Sequence, residues 1–123
     1  MPQDKFQQYD LEEKFSKFGE SIIELSKKVP KNTETIPVLR QLIRSGTSMG
    51  ANYMEANGAS SKRDFRNKIH ICKKEAKETM YWLRILAKAY EKVRDECRQF
   101  WQESQGYAKM FSKILSTLKS NKK

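Results

Sequence analysis

Apolar residues recur along most of this chain at alternating spacings of four and three. In DLEEKFSKFGESIIELSKKV the repeat is Leu11, Phe15, Phe18, Ile22, Leu25 and Val29. A period near 3.6 puts such residues on one face of an α-helix. The spacing returns in Phe65, Ile69, Cys72, Ala76, Thr79, Leu83, Leu86 and Tyr90, and again in Cys97, Trp101, Ser104, Ala108, Phe111, Leu115 and Leu118. Stripes of this kind are stable only when they cover one another. The 123 residues are the length of one compact domain. Their 37% hydrophobic and 33% charged content suits helices that each bury a single stripe.

Punctuation divides the pattern into predicted helices at about 10–29, 36–57, 61–92 and 95–119, in a single domain with flexible tails at 1–9 and 120–123. Asp10 and Glu13 resemble a capping box. Pro30 closes the first helix, because the residue before a proline is pushed out of the helical region. Pro37 suits the first turn of the second, Gly58 its stop, and Ser60 or Ser61 the cap of the third. The third and fourth stripes stay in register through Val93, with no Gly or Pro between Arg84 and Gln105. Periodicity therefore also permits one helix over 61–119, which would need a partner chain along its length. A break near Lys92–Asp95 is the preferred reading, since four helices of similar length can cover each other's stripes.

The second helix is unusual in its small residues. Gly46 and Gly50 lie four apart on the apolar face of Leu39, Leu42, Ile43, Met49 and Tyr53. Each costs up to about 1 kcal/mol of helix stability relative to Ala, which a closely approaching helix would offset; a kink is the alternative. A second line, Gln41, Ser45, Ser48, Asn52 and Glu55, follows the same spacing to one side. Small hydrogen-bonding groups in a row suit a partly buried contact, so these five and Tyr53 are the expected interface with a neighbouring subunit.

The net charge of +10 is uneven. Residues 1–36 carry six basic and seven acidic side chains; residues 37–123 carry 19 and eight. Lys62, Arg66, Lys73 and Lys77 are spaced by four, seven and four, with Arg63 and Lys74 beside them, and Arg40 and Arg44 are expected to extend the patch from the second helix. Such a face suits polyanions, and 18 Lys against seven Arg favour diffuse phosphate neutralisation over base reading. Tyr53, Tyr81 and Trp82 read first as core or interface aromatics, with base stacking as the alternative.

Enzymatic readings find little support. His70 is the only histidine, so a di-iron bundle site with its paired Glu-x-x-His motifs is excluded; it reads as a packing or boundary residue. Cys72 and Cys97 fall on apolar stripes and are expected to be buried free thiols. Ser116 and Lys119 form a Ser-x-x-Lys without its companion motifs. Glu75 and Glu78 read as surface ion pairs among lysines. No catalytic residue, metal or cofactor is expected. No apolar run nears the roughly 20 residues needed to cross a bilayer, and MPQDKFQQYD lacks the core of a signal peptide, so a cytoplasmic protein without membrane contact is expected.

The run QLIRSGTSMGANYMEANGASSKRDFRNKIHICKKEAKETMYWLRILAKA, with KFGESIIELSKKVPKN before it and the tail after FWQES, resembles the bacterial four-helix-bundle family found in intervening sequences of large-subunit ribosomal RNA genes. The likeness spans about residues 8–118. It implies an all-α, antiparallel up-down bundle broken before the fourth helix. It further implies assembly as a cyclic homopentamer barrel, and it brings in a related branch that serves as the accessory protein of diversity-generating retroelements. The expected function is a non-catalytic, basic, oligomeric binder of RNA or RNA/DNA hybrid, contacting phosphates with little sequence specificity. The alternative is an accessory subunit that docks a reverse transcriptase or another protein.

Overall fold

A computed structural model describes the backbone of residues 5–120 and the side chains of 7–119. Four helices account for nearly all of it: α1 (Lys5–Lys27), α2 (Thr35–Asn57), α3 (Lys62–Ala89) and α4 (Arg94–Ser120). Among the described residues there is no strand. Side-chain pairs fix the directions. Phe15 meets Tyr53 while Ile22 meets Gly46, so α1 and α2 run antiparallel. Lys68 meets Glu55 while Glu75 meets Arg44, which reverses α3 against α2. Lys28 meets Glu96 while Phe15 meets Phe111, which sets α4 against α1. The result is an antiparallel four-helix bundle.

Helix ends follow local chemistry, with some departures from the sequence reading. α1 begins by Lys5, so Asp10 lies inside it and is not a cap, and 5–9 are helical; the expected tails at 1–4 and 121–123 lie outside the described residues. Asn32 and Thr35 hold the first connection reciprocally: Asn32 Oδ1 accepts from the Thr35 N–H (2.9 Å) and Thr35 Oγ1 from the Asn32 N–H (3.0 Å). Gly58 ends α2 by donating to the Met54 and Glu55 carbonyls at φ −92°, without a left-handed residue. Ser61 Oγ caps α3 by accepting from the Asp64 N–H (3.0 Å), and the Asp64 carboxylate suits the positive end of the helix dipole. The break before α4 comes slightly early. Tyr90 is extended (φ −146°, ψ 93°) and Glu91–Val93 form one 3₁₀ turn. Val93 is buried there, so the apolar rhythm continues through the reversal.

The expected stripes form the core, and its two flanks are built differently. Along α1 and α2 the backbones are close. A methyl group built at Gly46 would stand 3.2 Å from Ile22 Cγ1, and one at Gly50 would stand 3.2 Å from Phe15 Cβ. Between α1 and α4 large rings fill a wider seam. Phe15 packs edge-on to Tyr107 (5.0 Å between centroids), and Phe18 does so to Tyr107 (5.4 Å) and Phe100 (5.9 Å). Edge-to-face packing is a favoured aromatic geometry.

The glycine seam can be tested with two alanines. At Gly50 an added methyl also lies 3.5 Å from the Phe15 carbonyl carbon, which cannot swing aside. Overpacking of about 1–3 kcal/mol then exceeds the propensity gain of up to about 1 kcal/mol, so Gly50→Ala is expected to destabilise. Gly106, with nothing within 4 Å of such a methyl, is expected to gain up to about 1 kcal/mol as Ala. Urea denaturation of both variants checks this, and a stabilised Gly50→Ala would show that the seam opens freely.

Candidate nucleic-acid interface

The solvent side of α3 carries most of the predicted basic residues. Lys62, Arg63, Lys74 and Lys77 are exposed, and Arg66 and Lys73 half-buried. None of these six belongs to an ion pair among the described residues. The stripe runs further than the sequence reading took it. Arg84 follows Lys77 by seven residues and Lys88 follows Arg84 by four, both exposed, and the spacing already in hand would have found them. His70 is exposed within this stripe rather than packed at the core boundary. Tyr81, 54% exposed, stands between Lys77 and Arg84, its ring edge-on to Trp82.

Four acidic side chains of α3 and α4 bind groups away from this stripe. Glu75 and Glu78 face α2, where both bind the Arg44 guanidinium; Glu75 Oε1 is 3.2 Å from Nη1, and Nη2 meets Glu78. Glu96 pairs with Lys28 of α1 (2.7 Å), and Glu103 accepts from the Tyr107 hydroxyl. Beyond Asp64 in its first turn, the acids of α3 thus serve the α2 side, while the stripe from Lys62 to Lys88 stays cationic.

This arrangement corrects two groups of predicted residues. Arg44 does not extend the basic patch: its charge is taken up by two carboxylates, one of them, Glu75, nearly buried. Arg40 is exposed on α2, one helical turn before Arg44. Among the predicted interface residues, Ser45 and Tyr53 are fully buried inside the chain itself. Thr79 donates to Ser45 Oγ (3.0 Å), which donates in turn to the Leu42 carbonyl. Tyr53 packs against Phe15. Their helical spacing matched Ser48 and Asn52, yet they sit where α2 meets α3 and α1. Gln41, Ser48 and Asn52 are half-buried, and Asn52 donates to the Ser48 carbonyl (2.9 Å). Glu55 is exposed and pairs with Lys68 (2.6 Å).

The two cysteines are held as thiols. Burial pushes the Cys72 and Cys97 thiols up to about 12, which leaves almost no thiolate at neutral pH. Among the described residues no three His, Cys, Asp or Glu side chains cluster closely enough to hold a metal ion, and no helix is long and apolar enough to cross a membrane.

The ion cluster has a pH signature. Partial burial alone would raise the Glu78 carboxyl, but hydrogen bonds from Trp82 and Arg44 hold it below its ordinary 4.5. A depressed folded value means stability that is present above about pH 4.5 and lost as pH falls through the lower folded value. Arg44→Ala is expected to flatten that acid-side loss. At neutral pH it should cost about 1 kcal/mol, because solvent screens a partly exposed pair. Thermal melts across the acid range test both effects; an unchanged acid limb would rule out the cluster as its source.

Comparison with known proteins agrees with this architecture. Residues 7–113 match the family model described as 23S rRNA-intervening sequence protein. A crystal structure of a protein with unknown function from the S23 ribosomal protein family of Bacteroides thetaiotaomicron is similar at 35% identity and a TM-score of 0.76. The similarity covers 85% of this chain and 96% of that one. A comparison with curated proteins finds no match. With the family model spanning most of the helical bundle, the chain belongs to the 23S rRNA-intervening sequence protein family.

Proposed function

We propose that this chain is a non-catalytic, cytoplasmic protein that binds nucleic acid, RNA or RNA/DNA hybrid, by its phosphates and with little regard to sequence. The observation that carries the reading is the α3 stripe from Lys62 to Lys88, cationic along its length while the carboxylates Glu75 and Glu78 face α2. Phosphate neutralisation by such a surface releases counterions, so affinity falls linearly in logarithmic terms as salt rises, with a slope near −0.9 per phosphate for duplex. Lysine ammonium groups act as point charges and do not impose a bidentate geometry on a base edge.

Reversal of Lys62, Arg66, Lys73 and Lys77 to Glu is expected to weaken binding to a structured RNA by at least about a hundredfold and to flatten the salt slope. Reversal of Lys14 and Lys17, exposed on α1, should leave both largely unchanged. Logarithmic losses in proportion to the charge reversed, about eight units against about four, would show that only net charge matters. The adaptor alternative, with a reverse transcriptase of the retroelement type as partner, uses the same face. A partner complex that survives nuclease, and is lost in the α3 variant, would support it instead.

Assembly as a cyclic homopentamer extends this reading, with the family resemblance as its support. Five copies of a chain with net charge +10 would gather five such stripes into one field. Gln41, Ser48, Asn52, Glu55 and the exposed Met54 of α2 are the groups left for that contact. Native mass spectrometry is expected to give five times the 14.5 kDa chain mass; a species of one chain only would remove the assembly.

A further inference from the structure

One stretch of the basic surface has a different construction. Beside the Tyr90–Val93 reversal, α3 and α4 enclose a groove of about 410 Å³. Its floor is apolar, made by Leu83 and Ala87 of α3 with the half-buried indole of Trp101 from α4. Its rim carries Arg84, Arg94 and Arg98, all exposed, and no carboxylate lines it. Lysines predominate in the stripe toward Lys62, whereas all three cations that line this groove are arginines.

An apolar floor adds nothing to the grip on a duplex, whose bases are already stacked on one another. It gains only from a base turned outward. A base laid on an indole is a sequence-tolerant contact, and guanidinium groups both fork onto phosphate oxygens and stack on planar rings. The geometry points to a binding site for an unpaired nucleotide of single-stranded nucleic acid, its base on Trp101 and its phosphates held by Arg84, Arg94 and Arg98. The site rests on the reading of α3 as a phosphate surface. It assigns to one end of that surface a preference for a strand end, bulge or loop.

The chain has two tryptophans, so Trp82→Phe leaves Trp101 as the only indole and Trp101 fluorescence reports the groove directly. The probes are oligouridine and oligothymidine of about eight nucleotides, a length within single-strand site sizes, and a blunt RNA duplex of the same length. Both single strands are expected to bind, seen by anisotropy, and to quench the indole, while the duplex binds without quenching. Quenching by oligouridine alone would assign the site to RNA through its 2′-hydroxyls. Trp101→Leu is expected to weaken single-strand binding about tenfold while duplex affinity is kept, with circular dichroism confirming the fold. Arg98→Glu, which leaves the indole in place, should abolish the quench.

Single strands that bind without changing the fluorescence, or a Trp101→Leu variant that binds them undiminished, would overturn the site and leave the phosphate surface standing. Binding of no probe by anisotropy would instead remove the phosphate-surface reading, and this site with it. Quenching by an acidic peptide as strong as by oligouridine would also overturn it, since the groove would then be recognising charge alone.

Discussion

The close seam between α1 and α2 governs how this bundle is put together. Gly46 and Gly50 let Ile22 and the Phe15 backbone come within contact distance of α2. That approach fixes where α1 sits, and the opposite flank must then fill the remaining space with large rings. Phe15 takes part in both flanks: its backbone lies at the glycine seam, while its ring meets Tyr53, Tyr107 and Phe111. Two poor helix formers on α2 are therefore accompanied by four aromatic residues placed on three helices.

Most of the fold was legible because burial obeys the 3.6-residue period. The residues read as stripes on α1, α3 and α4 are for the most part the buried ones. The break before α4 was expected from the need of the stripes to cover one another, because the period itself did not mark it. Leu86, Tyr90, Val93 and Cys97 keep the rhythm through the reversal, and neither Gly nor Pro marks it. What ends α3 is the stability gained by folding one stripe back on another, a property of two segments that no local signal carries. Asp10, by contrast, misled. It carried a local cap signal, but a helical turn already lay upstream of it.

The site was legible in its charges and obscure in its faces. Spacing placed Lys62, Arg66, Lys73 and Lys77 together, and the helix keeps them so. Spacing did not separate the side of α2 that meets α3 from the side that meets solvent, because both sides are flanked by small polar residues. Ser45 and Arg44 are adjacent in sequence, yet one hydroxyl is sealed against Thr79 and the neighbouring guanidinium lies at the edge between two carboxylates. Arg44 looks like part of a cationic patch until Glu75 and Glu78, about nine helical turns away along the chain, are brought beside it. In the folded molecule the buried stripe from Phe65 to Leu86 sets the rotation of α3, and the triad lies beside it. A buried acid on one side leaves the lysines on the other.

The reversal at Tyr90–Val93 also bears on how the chain reaches its native state. The hairpin it makes joins α3 to α4 through a handful of residues, and α2 reaches α3 through an equally short turn. Partners in space are therefore mostly near neighbours along the polypeptide, and little loop entropy is spent in bringing them together. Topologies of this kind fold quickly, so each copy can complete its own interior before it meets another molecule.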